Sequence, residues 1–172
     1  MKNLLYILTF IVLIVSFNAC NKDDGTTAWR EANWNAYDAV TKNMEYRQLT
    51  TKTGPLGVFY KVIQSGTGTE YPLQTSTVKV LYKGSYYDGT IFDAGSSQSD
   101  TPIEFSLAGT VRGFSFALQN MVVGDKWEIW IPYYLGYGDS DYLDPVTYQV
   151  SIRAYTTLVF EVELVGITQY NI

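Results

Sequence analysis

At Gly54-Pro55 the spacing of apolar residues along this 172-residue chain changes from three and four to two. One element cannot satisfy both periods, because a helix returns side chains to one face every 3.6 residues and a strand every second residue. The chain therefore divides into a helical segment ahead of that dipeptide and a strand-rich domain behind it. Ahead of it, Trp29, Ala32, Ala36, Ala39, Val40 and Met44 recur at helical steps, and Trp34 and Tyr37 widen the face. Residues 28–50 are expected as an N-terminal helical segment, packed on its own domain or serving as a spacer rather than as a dimerisation arm. Residues 50–55 read as the linker, closed by the Gly-Pro breaker.

Behind the breaker, Val58, Tyr60 and Val62 alternate with Phe59, Lys61 and Ile63 before the turn Gly66-Thr67-Gly68. Val78, Val80 and Tyr82 alternate with Lys79, Leu81 and Lys83 in the same way. Asp88-Gly89 is a hairpin-closing pair. Residues 126–131 and 157–165 read as two further strands, and residues 114–121 as a short helix with Phe114, Ala117, Leu118 and Met121 on one face. Several strands around one short helix, within residues 55–172, give an α+β fold class: a curved antiparallel β-sheet wrapped around one short helix, preceded by the N-terminal helix. An aromatic content of 16%, with 15 Tyr, favours strands and aromatic-lined surfaces over a bundle.

Composition removes several chemistries. The formal charge of -5 speaks against a nucleic-acid partner. The absence of histidine excludes imidazole bases, Ser-His-Asp triads and His-ligated zinc. Asp139, Asp141 and Asp144 cluster in one loop, but they lack the Gly turn and closing Glu of a calcium loop and read as an exposed polar loop. Gly66-Thr67-Gly68 joins strands and opens no helix, so it is no phosphate cradle. No metal or cofactor is expected.

Cys20 is the only cysteine. Met1-Lys2-Asn3 is a short positive start and residues 4–15 are mostly apolar, too short to span a bilayer and suited to a signal-peptide core. Ser16-Phe17-Asn18-Ala19-Cys20 resembles a bacterial lipobox, with Phe17 where Leu is usual. The expectation is a signal peptide over residues 1–19, lipidation at Cys20, and a tether over residues 20–27. That implies a protein of the bacterial cell envelope, lipid-anchored to the outer membrane and either periplasmic or surface-exposed. An ordinary secretory signal with an incidental cysteine is the alternative. Asn21-Lys22-Asp23-Asp24 resembles the export tag of surface lipoproteins, or is a solvated part of the tether.

A further set of signals has a fixed order. It runs Val78-Lys79-Val80-Leu81-Tyr82-Lys83-Gly84, Asp88-Gly89-Thr90-Ile91-Phe92-Asp93, Val111-Arg112-Gly113-Phe114, Met121-Val122-Val123-Gly124-Asp125, Tyr137-Gly138, and Leu158-Val159-Phe160-Glu161-Val162. In this order the chain, roughly from Gly57 to Ile167, resembles the FKBP-type peptidyl-prolyl cis-trans isomerases. The resemblance implies rotation of an Xaa-Pro bond in exported proteins, with Pro-containing segments as partners, macrolide inhibitors as further ligands, and the membrane reached through the lipid anchor. That reaction needs no acid-base pair. It crosses a barrier of about 18–20 kcal/mol set by amide resonance, between ground states about 0.5–1 kcal/mol apart. An apolar, water-poor slot with a few fixed polar groups suffices.

The resemblance assigns the residues one by one. It implies catalytic roles for Tyr82, for Asp93 as the group facing the twisted amide, and for Tyr137 as donor to the bound carbonyl. Phe92, Ile103, Val111, Phe114 and Phe160 are implied as substrate-binding walls, with the Val111 backbone N–H as a second donor. The chain departs from the pattern at three places. Phe114 stands where the family has a Trp floor. Residues 94–101 hold no Arg to steady Asp93, which would then rest on hydroxyls such as those of Tyr82 and Tyr137. Residues 138–152 form a longer flap loop without a Pro-Pro pair. A non-catalytic binding or chaperone lipoprotein on the same fold therefore stays open, as does a surface lipoprotein that uses exposed aromatics for glycan or adhesion work.

Overall fold

A computed structural model describes residues 25–96 and 99–169. The residues of the expected leader and Cys20 lie outside the described residues. Helix α1 (Thr26–Thr41) is followed by strands β1 (Arg47–Thr51), β2 (Gly54–Gln64), β3 (Thr77–Ser85), β4 (Ile91–Asp93) and β5 (Ile103–Ser106). Helix α2 (Arg112–Leu118), β6 (Lys126–Ile131), β7 (Tyr142–Leu143), β8 (Val150–Ile152) and β9 (Leu158–Gln169) complete the order. The main sheet runs β1-β2-β6-β9-β3-β4, with β5 also on β3, and every pairing is antiparallel. The expected α+β arrangement is present: this sheet packs its inner face against α2.

Period-two alternation decides which face is which. Trp127, Ile129 and Ile131 of β6 point inward between half-buried neighbours, and Val78 and Val80 of β3 point inward on either side of exposed Lys79. They meet Phe114, Ala117 and Leu118 of α2 and Met121 just beyond it. Most of the driving force lies here, since burying such a side chain is worth about 1.5–3 kcal/mol. The outer face carries ion pairs such as Lys83–Glu161 and Lys126–Glu161, at 3.1 and 2.8 Å. These keep the face solvated and add little stability.

The helical segment is shorter than its apolar spacing predicts. It ends at Thr41, and residues 47–51 pair with β2 as a sheet edge instead of continuing the helix. Residues 52–53 are thus a hairpin turn, and the sheet begins ahead of Pro55. The exchange buries Leu49, while Met44, expected on the helix face, is 98% exposed. The buried line of α1 is Asn33, Tyr37 and Val40. Trp34 stays half exposed. Asn33 eluded the apolar pattern because it is polar, yet its side-chain oxygen accepts from Thr157 N at 2.8 Å and its amide donates to Trp29 O at 2.9 Å. Tyr37 packs edge-on against Phe59 on the outer face and donates to Gly57 O. Helix α1 is therefore stitched onto its own domain, and no helix among the described residues is long and apolar enough to cross a membrane.

Helix α2 starts earlier than expected, with extended Val111 ahead of Arg112. Its fit on β6 depends on Gly113, where an added Cβ would lie 2.3 Å from Ile131 Cγ2. Ile131 is fully buried and cannot move aside. Gly113→Ala is accordingly expected to lower stability by about 1–3 kcal/mol in denaturant melts despite the better helix propensity of Ala. A neutral or stabilising result would show that α2 can slide on the sheet.

Candidate active site

The inner face of the sheet opens at one end into a cleft of about 600 Å³. Tyr82 of β3 and Phe160 of β9 reach it from the sheet, and Phe105 from β5. Phe114 comes from α2, Val111 from the residue before it, and Tyr137 and Tyr142 from the segment after β6. Phe114 and Phe160 form the floor, 4.8 Å apart between ring centroids and both buried. Tyr82 stands 6.2 Å from Phe114 and 6.3 Å from Phe160. Phe105 closes the other side, 5.9 Å from Phe114 and edge-on to Tyr82. Tilted and edge-on arrangements of this kind suit the ring quadrupoles.

At one edge of this apolar slot sits Asp93. The Tyr82 hydroxyl donates to its Oδ2 at 2.8 Å, and Gly95 N donates to its Oδ1 at 2.9 Å. Tyr82 thus supplies the support expected from a hydroxyl in the absence of an Arg. The second support is a backbone N–H, which no sequence pattern announced. Gly95 has φ +50, and an added Cβ there would lie 2.3 Å from Tyr82 O, so only glycine permits this close turn. Beside it, buried Ser96 accepts from Tyr82 N at 2.7 Å and fixes the backbone of Tyr82.

The two phenols stay protonated for a stated reason. Burial, followed by the hydrogen bond to Asp93, raises the pKa of Tyr82 well above its ordinary value. Burial, followed by the neighbouring Tyr142 and Asp93, raises that of Tyr137. Both side chains therefore remain hydrogen-bond donors across neutral and mildly alkaline pH.

Two implied wall residues lie elsewhere. Phe92 stands behind the floor, edge-on to Phe160 at 5.8 Å and tilted on Tyr86 at 5.2 Å, so it buttresses the slot and does not line it. Ile103 shares the face of Phe105, two residues away on β5, but remains 36% exposed outside the cleft. Phe105 and Tyr142 take the wall positions. Tyr142 was hidden because the flap loop read as polar. Its ring packs 4.5 Å from Tyr137, placed there by the β7–β8 hairpin. The loop acids are used locally: Asp141 Oδ1 accepts from Ala154 N, and Asp144 Oδ1 from Val146 N and Thr147 N.

Comparison with known proteins gives a consistent set of likenesses. The sequence model described as FKBP-type peptidyl-prolyl cis-trans isomerase matches residues 68–165. An FKBP-type 22 kDa peptidyl-prolyl cis-trans isomerase of Escherichia coli is 40% identical over 111 residues, which cover 64% of this chain and 50% of that protein. A macrophage infectivity potentiator of Trypanosoma cruzi is 31% identical over 169 residues, covering 93% and 82% respectively. The crystal structure of a peptidyl-prolyl cis-trans isomerase from Pseudomonas syringae superposes with a TM-score of 0.68 at 32% identity, covering 84% of this chain and 96% of that one. This chain spans about half the length of several of the curated relatives it matches, 45–50%.

Proposed function

Because this chain belongs to the FKBP-type peptidyl-prolyl cis-trans isomerase family, we propose that its cleft binds Xaa-Pro segments of exported proteins and speeds their cis-trans rotation. The observation that carries this reading is one slot that combines an aromatic floor with a carboxylate already held by Tyr82. A planar amide separates more charge than a twisted one, so moving the bond out of water favours the twisted form. The proline ring rests on Phe114 and Phe160. The Tyr137 hydroxyl and the Val111 N–H donate to substrate carbonyls and fix which bond rotates. Asp93, oriented by Tyr82 and Gly95, faces the rotating amide and stabilises it only when twisted, which is the condition for catalysis rather than mere binding.

The test is isomerisation of a short Ala-Leu-Pro-Phe peptide, followed by NMR exchange. The chain at micromolar concentration should accelerate it, and a rate equal to the uncatalysed one would move the reading to a binding module. Asp93→Ala and Tyr137→Phe should each cut kcat/KM about tenfold, ~1.4 kcal/mol of barrier. Stability should change by about 1 kcal/mol or less, because both positions border open space. Both variants matching the parent would overturn the site. With both phenols raised above their ordinary pKa, turnover should show no alkaline loss below about pH 10.

The binding-module alternative draws on Phe114, which gives up the larger face and the N–H of an indole floor. On that reading the slot holds Pro-containing segments, and macrolide inhibitors compete for it, without useful turnover. The anchor belongs to the same proposal: residues 1–19 direct export, and Cys20 carries the lipid that holds the protein at the outer membrane, where clients unfold outside the cytoplasm. Mass spectrometry of membrane-extracted protein should show acyl chains on Cys20. A free thiol there, with cleavage elsewhere, sinks the anchor.

A further inference from the structure

We propose that the groove which α1 forms with the turn after β6 and the turn before β9 is a saccharide-binding site, taking neutral pyranose rings of a glycan. It shares no lining residue with the cleft, so it stands independently of the isomerase reading.

The groove has a volume of about 400 Å³. Small-molecule sites usually hold about 300–1,000 Å³. Its rings are Trp34 of α1, Tyr133 from the turn after β6 and Tyr155 from the turn before β9. Trp34 is 50% exposed and leans on Tyr37, 5.7 Å away between centroids. Tyr133 and Tyr155 meet edge-on at 5.2 Å. Aromatic side chains scattered singly over a surface need no explanation, but three that line one concavity do.

The walls are fastened to one another before any ligand arrives. Thr157, the buried residue of the groove, donates from its N–H to Asn33 Oδ1 at 2.8 Å, and Trp29 Nε1 donates to Thr156 Oγ1 at 3.2 Å. The turn before β9 is thereby tied to α1. Tyr155 N donates to Gly138 O at 3.0 Å, and Tyr155 is held at φ 60, in the left-handed region. Glycine would meet that φ without strain, so the ring and not the backbone accounts for a tyrosine there. A preformed site of this kind loses little ordering entropy when a ligand enters.

The polar groups identify the occupant. Arg30, Glu31 and Asn35 line the same groove. Among the described residues, the Glu31 carboxylate, the Asn35 amide and the Tyr133 and Tyr155 hydroxyls form no hydrogen bond or ion pair within the protein. The Arg30 guanidinium lies over the Tyr155 ring, 5.3 Å from its centroid, and has no carboxylate partner. Donors and acceptors thus stand around apolar rings, and the charges of Arg30 and Glu31 cancel. A quaternary ammonium would need the ring face that Arg30 covers. An anionic headgroup would meet Glu31, and an apolar peptide segment would leave the polar groups without partners. A pyranose ring satisfies both halves of the groove. Its C–H face lies on an aromatic ring, and each of its hydroxyls both donates and accepts.

The experiment titrates maltohexaose, cellohexaose and chitohexaose into the full, isotope-labelled chain and follows the four tryptophan indole N–H signals by NMR. At least one of these sugars should shift Trp34 and leave Trp127 and Trp130, which lie on β6, in place. By isothermal titration Trp34→Ala should weaken that binding about tenfold. Tyr155→Gly, which keeps the left-handed turn without strain, should do the same. Salt should change the affinity by less than about twofold, since the ligand carries no charge. Isomerisation of Ala-Leu-Pro-Phe should be equal for the parent and both variants. If sugar binds through Trp34 while no chain turns over the peptide, the isomerase reading fails and the groove stands. Preference for chitohexaose would indicate an N-acetylated wall glycan and preference for a glucose chain an external polysaccharide, and either supports the site. Failure of all three sugars to move Trp34 overturns the proposal. Equal sugar affinity in the parent and both variants does so too, because the sugar would then sit elsewhere. Binding of phosphocholine or of phosphatidylglycerol vesicles in place of sugar would assign the groove to a charged headgroup and also overturn it.

Discussion

Phe160→Ala should cost about 3–5 kcal/mol of stability and abolish most turnover, because one ring serves both the core and the slot. Phe160 is 7% exposed and has Phe114, Phe92 and Tyr82 around it at 4.8, 5.8 and 6.3 Å. Its backbone lies between Gly84 of β3 and Ile129 of β6, at the centre of the sheet. Those strands are pinned by their own ladders, so the hole left by the ring cannot collapse, and the neighbouring rings lose contacts outright. In a chain of this size each kcal/mol moves Tm by about 2–4 °C, so a fall of roughly 10 °C is expected in a thermal melt. Phe160→Leu refills part of the volume and should recover most of the stability while the slot loses its flat floor. A loss below about 1 kcal/mol for Phe160→Ala would mean that the slot is much looser than its ring packing.

The other large effect is expected far from the slot. Asp125 is 8% exposed, and its two carboxylate oxygens accept from Gly66 N at 2.7 Å and Val122 N at 2.8 Å. Its backbone is tied to β9 through Leu164 N, at 2.9 Å. The side chain thus joins the segment just after β2 to the turn before β6, and the backbone of the same residue ties that turn to β9. Asp125→Ala leaves two N–H groups without their charged acceptor and should cost roughly 2–5 kcal/mol in denaturant melts. Asp125→Asn should restore little, because one of its two positions now presents an N–H to an N–H. The cleft lies elsewhere, so the surviving folded fraction should keep the parent's affinity for a short peptide. Stability within about 0.5 kcal/mol of the parent would show that water replaces the carboxylate without loss.

The ordered motifs include Met121-Val122-Val123-Gly124-Asp125, the segment that leads into β6, but not its mechanics. A short string such as Val123-Gly124-Asp125 says that a turn occurs there. It does not say that the carboxylate reaches back to Gly66, which is separated from it by the whole of β3, β4, β5 and α2. Of the cleft residues, Tyr82, Asp93, Val111, Phe114, Tyr137 and Phe160 were legible in advance, each within one of the ordered motifs. Phe92 and Ile103 were legible as apolar but not as misplaced. Whether a strand side chain lines a slot or stands behind it depends on the curvature of the sheet. Curvature is a property of all the strands together.

The sequence by itself determined the alternation that splits the sheet into two faces and the residue types that equip an apolar slot with one carboxylate. These are local choices, written at fixed spacing and read without knowing the neighbours. Tertiary structure alone decided where α1 stops, that Leu49 leaves the helix to complete the core, and that Asn33 rather than Trp34 faces inward. It also decided that Gly95 and Ser96 brace the site, and that Tyr142 comes to stand against Tyr137. The physical reason is the same in each case. A polar group such as that of Asn33 or Ser96 is buried only when a partner from a separate segment satisfies it. Which segment supplies that partner is settled when the whole sheet closes around α2.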